Sequence, residues 1–180
     1  MFLVKTGSSS IILGPGHFNN YFPNKRNKLL KITKISSKHN ELKYLDKIRQ
    51  IQNHKDYYSI PEDLSFTIKP SADFYNYIEH LVRKENLTIF NAPLTAFYID
   101  NAGDRDLHDT LTDAVNYNDI SVWRSYKSII NFVKQMVDAL FYLHQHKLCH
   151  LDVKPENIMV NTYRKTFKLI DFGFSSLEPF

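Results

Sequence analysis

Apolar and polar positions along this chain change rhythm near residue 100, from strand-like runs to helical spacing. Ser10-Ile11-Ile12-Leu13 is a short apolar run stopped by Gly14-Pro15-Gly16, and Lys28-Leu29-Leu30-Lys31-Ile32-Thr33-Lys34 alternates toward its end as a half-buried strand does. Ser36 or Ser37 can cap a helix whose Leu42, Leu45 and Ile48 fall on one face, ending near the polar Gln52-Asn53-His54. Residues 57–93 read least clearly, but Phe74, Tyr77, Ile78, Leu81 and Val82 recur at intervals of three and four after Pro70-Ser71. That spacing predicts a helix over 72–84. Leu87-Thr88-Ile89-Phe90 and Leu94-Thr95-Ala96-Phe97-Tyr98-Ile99 have strand composition on either side of the turn signal Asn91-Ala92-Pro93. A polar stretch from Asp100 to Asp106 ends the strands. A short helix is predicted near 106–116, and Ile129, Ile130, Val133, Met136, Val137, Leu140 and Phe141 form a broad apolar stripe on a long helix over 122–146.

Composition narrows the class. At 180 residues and 43% apolar content the chain can fold as one ordinary domain or two small lobes. Its net charge of +4 is spread along the sequence instead of forming a block, so no nucleic-acid partner is expected. No apolar stretch approaches a membrane span, and the single cysteine, Cys149, cannot form an internal disulfide. No membrane partner is therefore expected, and an intracellular setting, cytoplasmic or nuclear, is the default. The start Met1-Phe2-Leu3-Val4-Lys5 turns polar too soon for a signal peptide.

Candidate chemistry is concentrated in two stretches, His150-Leu151-Asp152-Val153-Lys154-Pro155-Glu156-Asn157 and, after an apolar hairpin, Asp171-Phe172-Gly173. Their residue types and spacing closely resemble the catalytic and metal-binding loops of eukaryotic-type Ser/Thr protein kinases. The resemblance implies an α+β, protein-kinase-like fold with a complete small β-rich N-lobe and the beginning of a helical C-lobe. On that reading residues 1–103 are the N-lobe and hinge, with an atypical helical insertion at about 70–86, and 104–180 are a partial C-lobe. It also implies transfer of a γ-phosphoryl group from ATP to Ser or Thr hydroxyls of a protein substrate, with Mg²⁺ as the metal and Mn²⁺ as an alternative. Asp152 would orient the acceptor hydroxyl and take its proton, and Lys154 would place positive charge on the transferring phosphate. Asn157 and Asp171 would supply hard oxygens to the metal. The Lys154-Pro155-Glu156-Asn157 sequence resembles the Ser/Thr class, whereas tyrosine kinases usually carry an Ala-Ala-Arg type sequence there.

The same resemblance assigns roles in the first half. Lys31 sits where the strand lysine that contacts the α- and β-phosphates should lie, the alternative being a solvent-facing strand lysine. Glu41 would be its ion-pair partner, or else an ordinary exposed helical glutamate. Lys5-Thr6-Gly7-Ser8-Ser9-Ser10-Ile11-Ile12 aligns on the phosphate-covering glycine loop with only Gly7 kept and Ile12 at the valine position; Gly14-Pro15-Gly16 better suits the next turn. Asp100-Asn101-Ala102-Gly103 resembles the hinge, with backbone groups of Asp100 and Ala102 on adenine and Ile99 as gatekeeper. Asp106 would bind ribose hydroxyls or simply cap a helix. Ile12 and Leu29 above the base and Met159 below it would form the apolar sandwich. Leu151 stands where the family's arginine grips an activation-loop phosphate, so activity is not expected to depend on such a phosphate.

Family members continue beyond Asp-Phe-Gly through an activation segment, an Ala-Pro-Glu motif and several helices. The 180-residue chain is therefore expected to be truncated within the C-lobe, leaving the 122–146 stripe exposed for that missing part or for a partner. The competing expectation is a catalytically weak or inactive nucleotide-binding pseudokinase, an interaction module.

Overall fold

The computed structural model describes residues 4–6, 10–14, 28–34, 42–61, 71–81, 94–117 and 120–177. In chain order the elements are β1 (Val4–Thr6), β2 (Ser10–Leu13), β3 (Lys28–Lys34), α1 (Leu45–Gln50), α2 (His54–Tyr57), α3 (Ala72–Leu81), β4 (Leu94–Asp100) and β5 (Arg105–Asp106). There follow α4 (Leu107–Asn116), α5 (Tyr126–Gln145), β6 (Leu148–Cys149), a 3₁₀ turn (Pro155–Asn157), β7 (Ile158–Asn161), β8 (Thr166–Leu169) and β9 (Ser176–Leu177). The strands expected at 10–13 and 28–34 form at those positions, while the one expected at 87–90 lies outside the described residues. The chain divides into two compact units, one of Met1–Leu42 with Pro61–Asp100, the other of Lys43–Ile60 with Asn101–Phe180.

The first unit is an antiparallel sheet in the order β1-β2-β3-β4. Because strand side chains alternate, Leu30 and Ile32 point one way, joined by their register partners Leu13 and Ile11 on β2 and Tyr98 and Ala96 on β4. This face closes on Phe74 and Ile78 of α3, one turn apart and therefore on one side of the helix. Ser71 Oγ accepts the Phe74 N–H at 3.2 Å and starts that helix. The opposite face carries Leu29, Phe97 and Ile99 with Ile12 packed against them. Burial on both faces explains why β3 reads as a nearly continuous apolar run and only alternates weakly.

In the second unit the β7–β8 hairpin packs against α5, whose Met136, Ala139 and Leu143 are buried. Side chains of α5 knit the hairpin turn. Asn131 Nδ2 donates to the Lys165 carbonyl at 2.8 Å, and Gln135 Oε1 accepts the Phe167 N–H at 2.9 Å. Phe132 and Trp123 enclose the Phe167 ring. The long helix runs from Tyr126, later than the expected 122, because residues 121–123 form a turn closed by Trp123 N–H on the Ile120 carbonyl. Of its apolar stripe, Ile129, Ile130, Val133, Val137 and Phe141 are exposed.

Residues 43–60 were expected with the first half, yet they pack with the second unit. Tyr58 explains this. Its hydroxyl donates to the Ala139 carbonyl of α5 at 2.6 Å, its backbone bridges to Leu169, and the next N–H, of Ser59, donates to the Leu169 carbonyl. Burial pushes the Tyr58 phenol far above its ordinary pKa, so it stays a protonated donor.

Phe74→Ala removes the larger of the two buried side chains, Phe74 and Ile78, that α3 places in the core of the sheet. Chemical denaturation should show a loss of about 3–5 kcal/mol, against a change within about 0.5 kcal/mol for the exposed Asn76→Ala. Equal effects would show that α3 does not stabilise the sheet.

Candidate active site

The loop between β6 and the 3₁₀ turn presents Asp152, and the turn itself holds it. Pro155 opens the turn with a fixed φ and no N–H to satisfy. Asn157, at its end, donates its N–H to the Lys154 carbonyl at 2.9 Å. The Asn157 side-chain amide then donates both to the Asp152 carbonyl at 2.9 Å and to the Asp152 carboxylate at 2.7 Å. Lys154 Nζ meets the same carboxylate at 2.9 Å. These donors, Lys154 first and Asn157 after it, hold Asp152 below the usual carboxylate range, while the carboxylate in turn raises Lys154. Asp152, Lys154 and Asn157 are thus brought together as one hydrogen-bonded group.

Asp171 joins the same neighbourhood through the backbone, because the Ile170 N–H donates to the Asn157 carbonyl at 3.0 Å. Asp171 has φ 64°, a left-handed conformation unusual outside glycine, and its Oδ1 accepts the Gly173 N–H at 3.2 Å. Leu151 has φ 63° and is exposed. Two such residues in one small site are worth about 1–2 kcal/mol of strain each, held by the bonds on either side. His150 supplies several of them. It is 2% exposed, its Nε2 faces the Ile170 carbonyl at 3.0 Å, and its Nδ1 accepts the Asp152 N–H at 3.3 Å. Those partners fix the neutral tautomer with the proton on Nε2. Phe172 stands edge-on to His150 at 4.9 Å and to Tyr58 at 5.8 Å.

A divalent cation fits this donor set. The bonds of Asn157 use its Nδ2 and backbone, leaving the amide oxygen outside them, and Asp171 adds a carboxylate. Among the described residues no three His, Cys, Asp or Glu side chains cluster as metal ligands. One carboxylate and one amide oxygen suit Mg²⁺, which takes few protein ligands and shares phosphate oxygens, and do not suit a zinc cage.

Of the residues expected to hold ATP, Gly7 and Glu41 lie outside the described residues. In the first unit Lys31 is only 6% exposed and pairs in register with Ile12 and Phe97, so the solvent-facing alternative does not hold. It shares the face of Ile12, Leu29 and Ile99. Asp100 ends β4, its carboxylate 2.5 Å from Lys28 Nζ. In the second unit Ala102 and Met159 are buried. Asp106 is buried and accepts the Asp109 N–H at 2.7 Å, so the capping alternative is realised. Gly103 is forced by packing: a Cβ there would sit 2.2 Å from the Val160 carbonyl oxygen. Sequence reasoning did not single out Tyr58 or Gly103. The adjacent Tyr57-Tyr58 pair, in an otherwise polar stretch, was the available signal for the first.

Residues 94–178 match the family model described as protein kinase domain. An Aurora kinase from Eremothecium gossypii is 39% identical over 74 residues, which cover 41% of this chain and 18% of that protein. Myosin light chain kinase family member 4 from Mus musculus is 28% identical over 172 residues, 94% of this chain and 38% of that protein. The chain therefore spans well under half the length of these relatives. The structure of the Cydia pomonella Granulovirus kinase, PK-1, superposes with a TM-score of 0.60 at 19% identity, covering 98% of this chain and 54% of that one, a likeness of fold. Residues 94–178 thus carry the likeness to protein kinase domains, and the chain has an α+β, protein-kinase-like fold. Among the described residues no helix is long and apolar enough to cross a membrane.

Burial depresses the pKa of His150 below 6.5. The folded state therefore favours the neutral ring, and its contribution to stability is full above 6.5 and is lost as pH falls from there through the depressed folded value. Thermal melts should show the wild type losing stability below pH 6.5 more steeply than His150→Gln. Parallel pH profiles would remove His150 from this account.

Proposed function

We propose that the chain carries the phosphoryl-transfer centre of a Ser/Thr protein kinase, moving the γ-phosphoryl group of ATP to a Ser or Thr hydroxyl of a protein substrate. The observation that carries the reading is the hydrogen-bonded group of Asp152, Lys154 and Asn157, with Asp171 tied to it through Ile170. Lys154 marks the Ser/Thr class by resemblance. This intact constellation speaks against the pseudokinase reading.

The chemistry asks mainly for position. Asp152, kept ionised by Lys154 and Asn157, accepts a hydrogen bond from the acceptor hydroxyl and aims its oxygen at the γ-phosphorus. As the new O–P bond forms, the bond from γ-phosphorus to the bridging oxygen breaks, ADP leaves, and the hydroxyl proton passes to Asp152. A carboxylate held below its usual range is a weak base, so its larger contribution is orientation. Lys154, beside it, offsets charge on the transferring group. Mg²⁺, or Mn²⁺ in its place, would be held by Asn157 and Asp171 and supply positive charge between the phosphates. By the resemblance, Lys31 would contact the α- and β-phosphates with Glu41 as its partner, Gly7 and Ile12 would cover the nucleotide, and Asp100, Ala102 and Met159 would receive adenine, while the Asp106 carboxylate is used by its helix cap. The exposed α5 stripe is a surface for further chain or a partner.

Asp152→Asn should keep Mg²⁺-dependent ATP binding while lowering γ-phosphate transfer by about 10²-fold or more. Asp171→Ala should weaken the Mg²⁺-dependent part of ATP binding itself, read by calorimetric titration with and without the metal. Transfer at wild-type rate in the first variant, or undiminished metal dependence in the second, would refute the assignment.

A further inference from the structure

The first unit contains an ion pair that no catalytic role accounts for. Lys28 is the first residue of β3 and Asp100 the last of β4, and the two face each other as the terminal register pair of that ladder. Their side chains meet at 2.5 Å and are largely shielded, 14% and 26% exposed. Alternation puts both on the face of Leu30 and Tyr98, against the core closed by α3, and away from the face that carries Leu29, Lys31 and Ile99. The pair therefore cannot touch a nucleotide lying on the Lys31 face. What it does touch is the end of β4.

We infer that the Lys28–Asp100 pair is a specificity device, pinning the terminal peptide of β4 so that the Asp100 carbonyl is aimed at the amino group of the base. The inference rests on the proposed reading of Asp100 as an adenine-facing residue. The physical case is that a strand end has no further ladder bonds beyond it to resist fraying, and Asn101 already lies outside the strand. A shielded ion pair at that last register position replaces the missing bonds, and shielding makes it stronger than an exposed pair. A carbonyl held in one direction rewards a donor on the base and penalises an acceptor, because an acceptor facing it leaves the oxygen unpaired. Lys28 is thus a positioning residue. It acts through Asp100, and its effect falls on which base is chosen.

Inosine triphosphate separates this from a general structural role, since it carries an oxygen where ATP carries the amino group and keeps the same triphosphate. Calorimetric titration of the full chain with each nucleotide, in Mg²⁺, should show the wild type preferring ATP. Lys28→Gln should narrow that preference by about three- to tenfold, the worth of one hydrogen bond, mostly through weaker ATP binding. Lys28→Arg keeps the charge pair and should keep the preference. Asp100→Asn removes the pair from the other side and should narrow it as Lys28→Gln does, which covers the case of one variant failing to fold. An unchanged preference in the folded neutral variant, or equal weakening of both nucleotides, overturns the inference while the reading of the site stands. A wild type that binds ATP no better than the inosine nucleotide overturns the inference too, and one that binds neither overturns both.

Discussion

Asn157 ties together the two stretches of chain that carry the candidate chemistry. Its side-chain amide bonds the carbonyl and the carboxylate of Asp152, its N–H bonds Lys154, and its carbonyl receives Ile170, the residue before Asp171. A single buried amide thereby fixes the relation between the residue proposed to orient the acceptor and the residue proposed to hold the metal. The strained backbones of Leu151 and Asp171 are tolerable because this bonding, with that of His150, overdetermines them. Preorganisation of this kind matters most in phosphoryl transfer, where the protein makes and breaks no bond of its own.

The support beneath the loop is aromatic and largely dry. Phe172 rests against His150 and Tyr58, and Tyr58 is anchored by its hydroxyl to α5. The segment 43–60, although it follows β3 in the sequence, is therefore a structural part of the second unit. The first unit solves a different problem. Its sheet is apolar on both faces, and α3 covers one of them, which leaves the other to Lys31, Leu29 and Ile99.

The parts legible in the sequence were those written in local pattern. The β2 and β3 strands, α3, α5 and the 150–157 loop each announce themselves by period, cap or motif, and the structure forms them within a few residues of expectation. What local pattern could not show was long-range pairing. Nothing around Tyr58 predicts a bond to Ala139, 81 residues away, and so the packing of segment 43–60 against α5 was not legible in the sequence. Asp106 could be read two ways because a carboxylate before a helix serves equally as cap or ligand; only the Asp109 N–H at 2.7 Å shows the cap in use. Gly103 was passed over for a related reason. Its need for a bare Cα comes from the Val160 carbonyl, which lies far off in sequence.

Position and charge at Asp152, Lys154, Asn157 and Asp171 make one central claim, that this site moves phosphate to an aliphatic hydroxyl. The direct measurement is incubation of the chain with γ-labelled ATP, Mg²⁺ and a generic basic protein, followed by identification of the labelled amino acid. The account predicts phosphoserine or phosphothreonine. Label on tyrosine, or ATP that binds with Mg²⁺ yet yields no labelled protein, would contradict it.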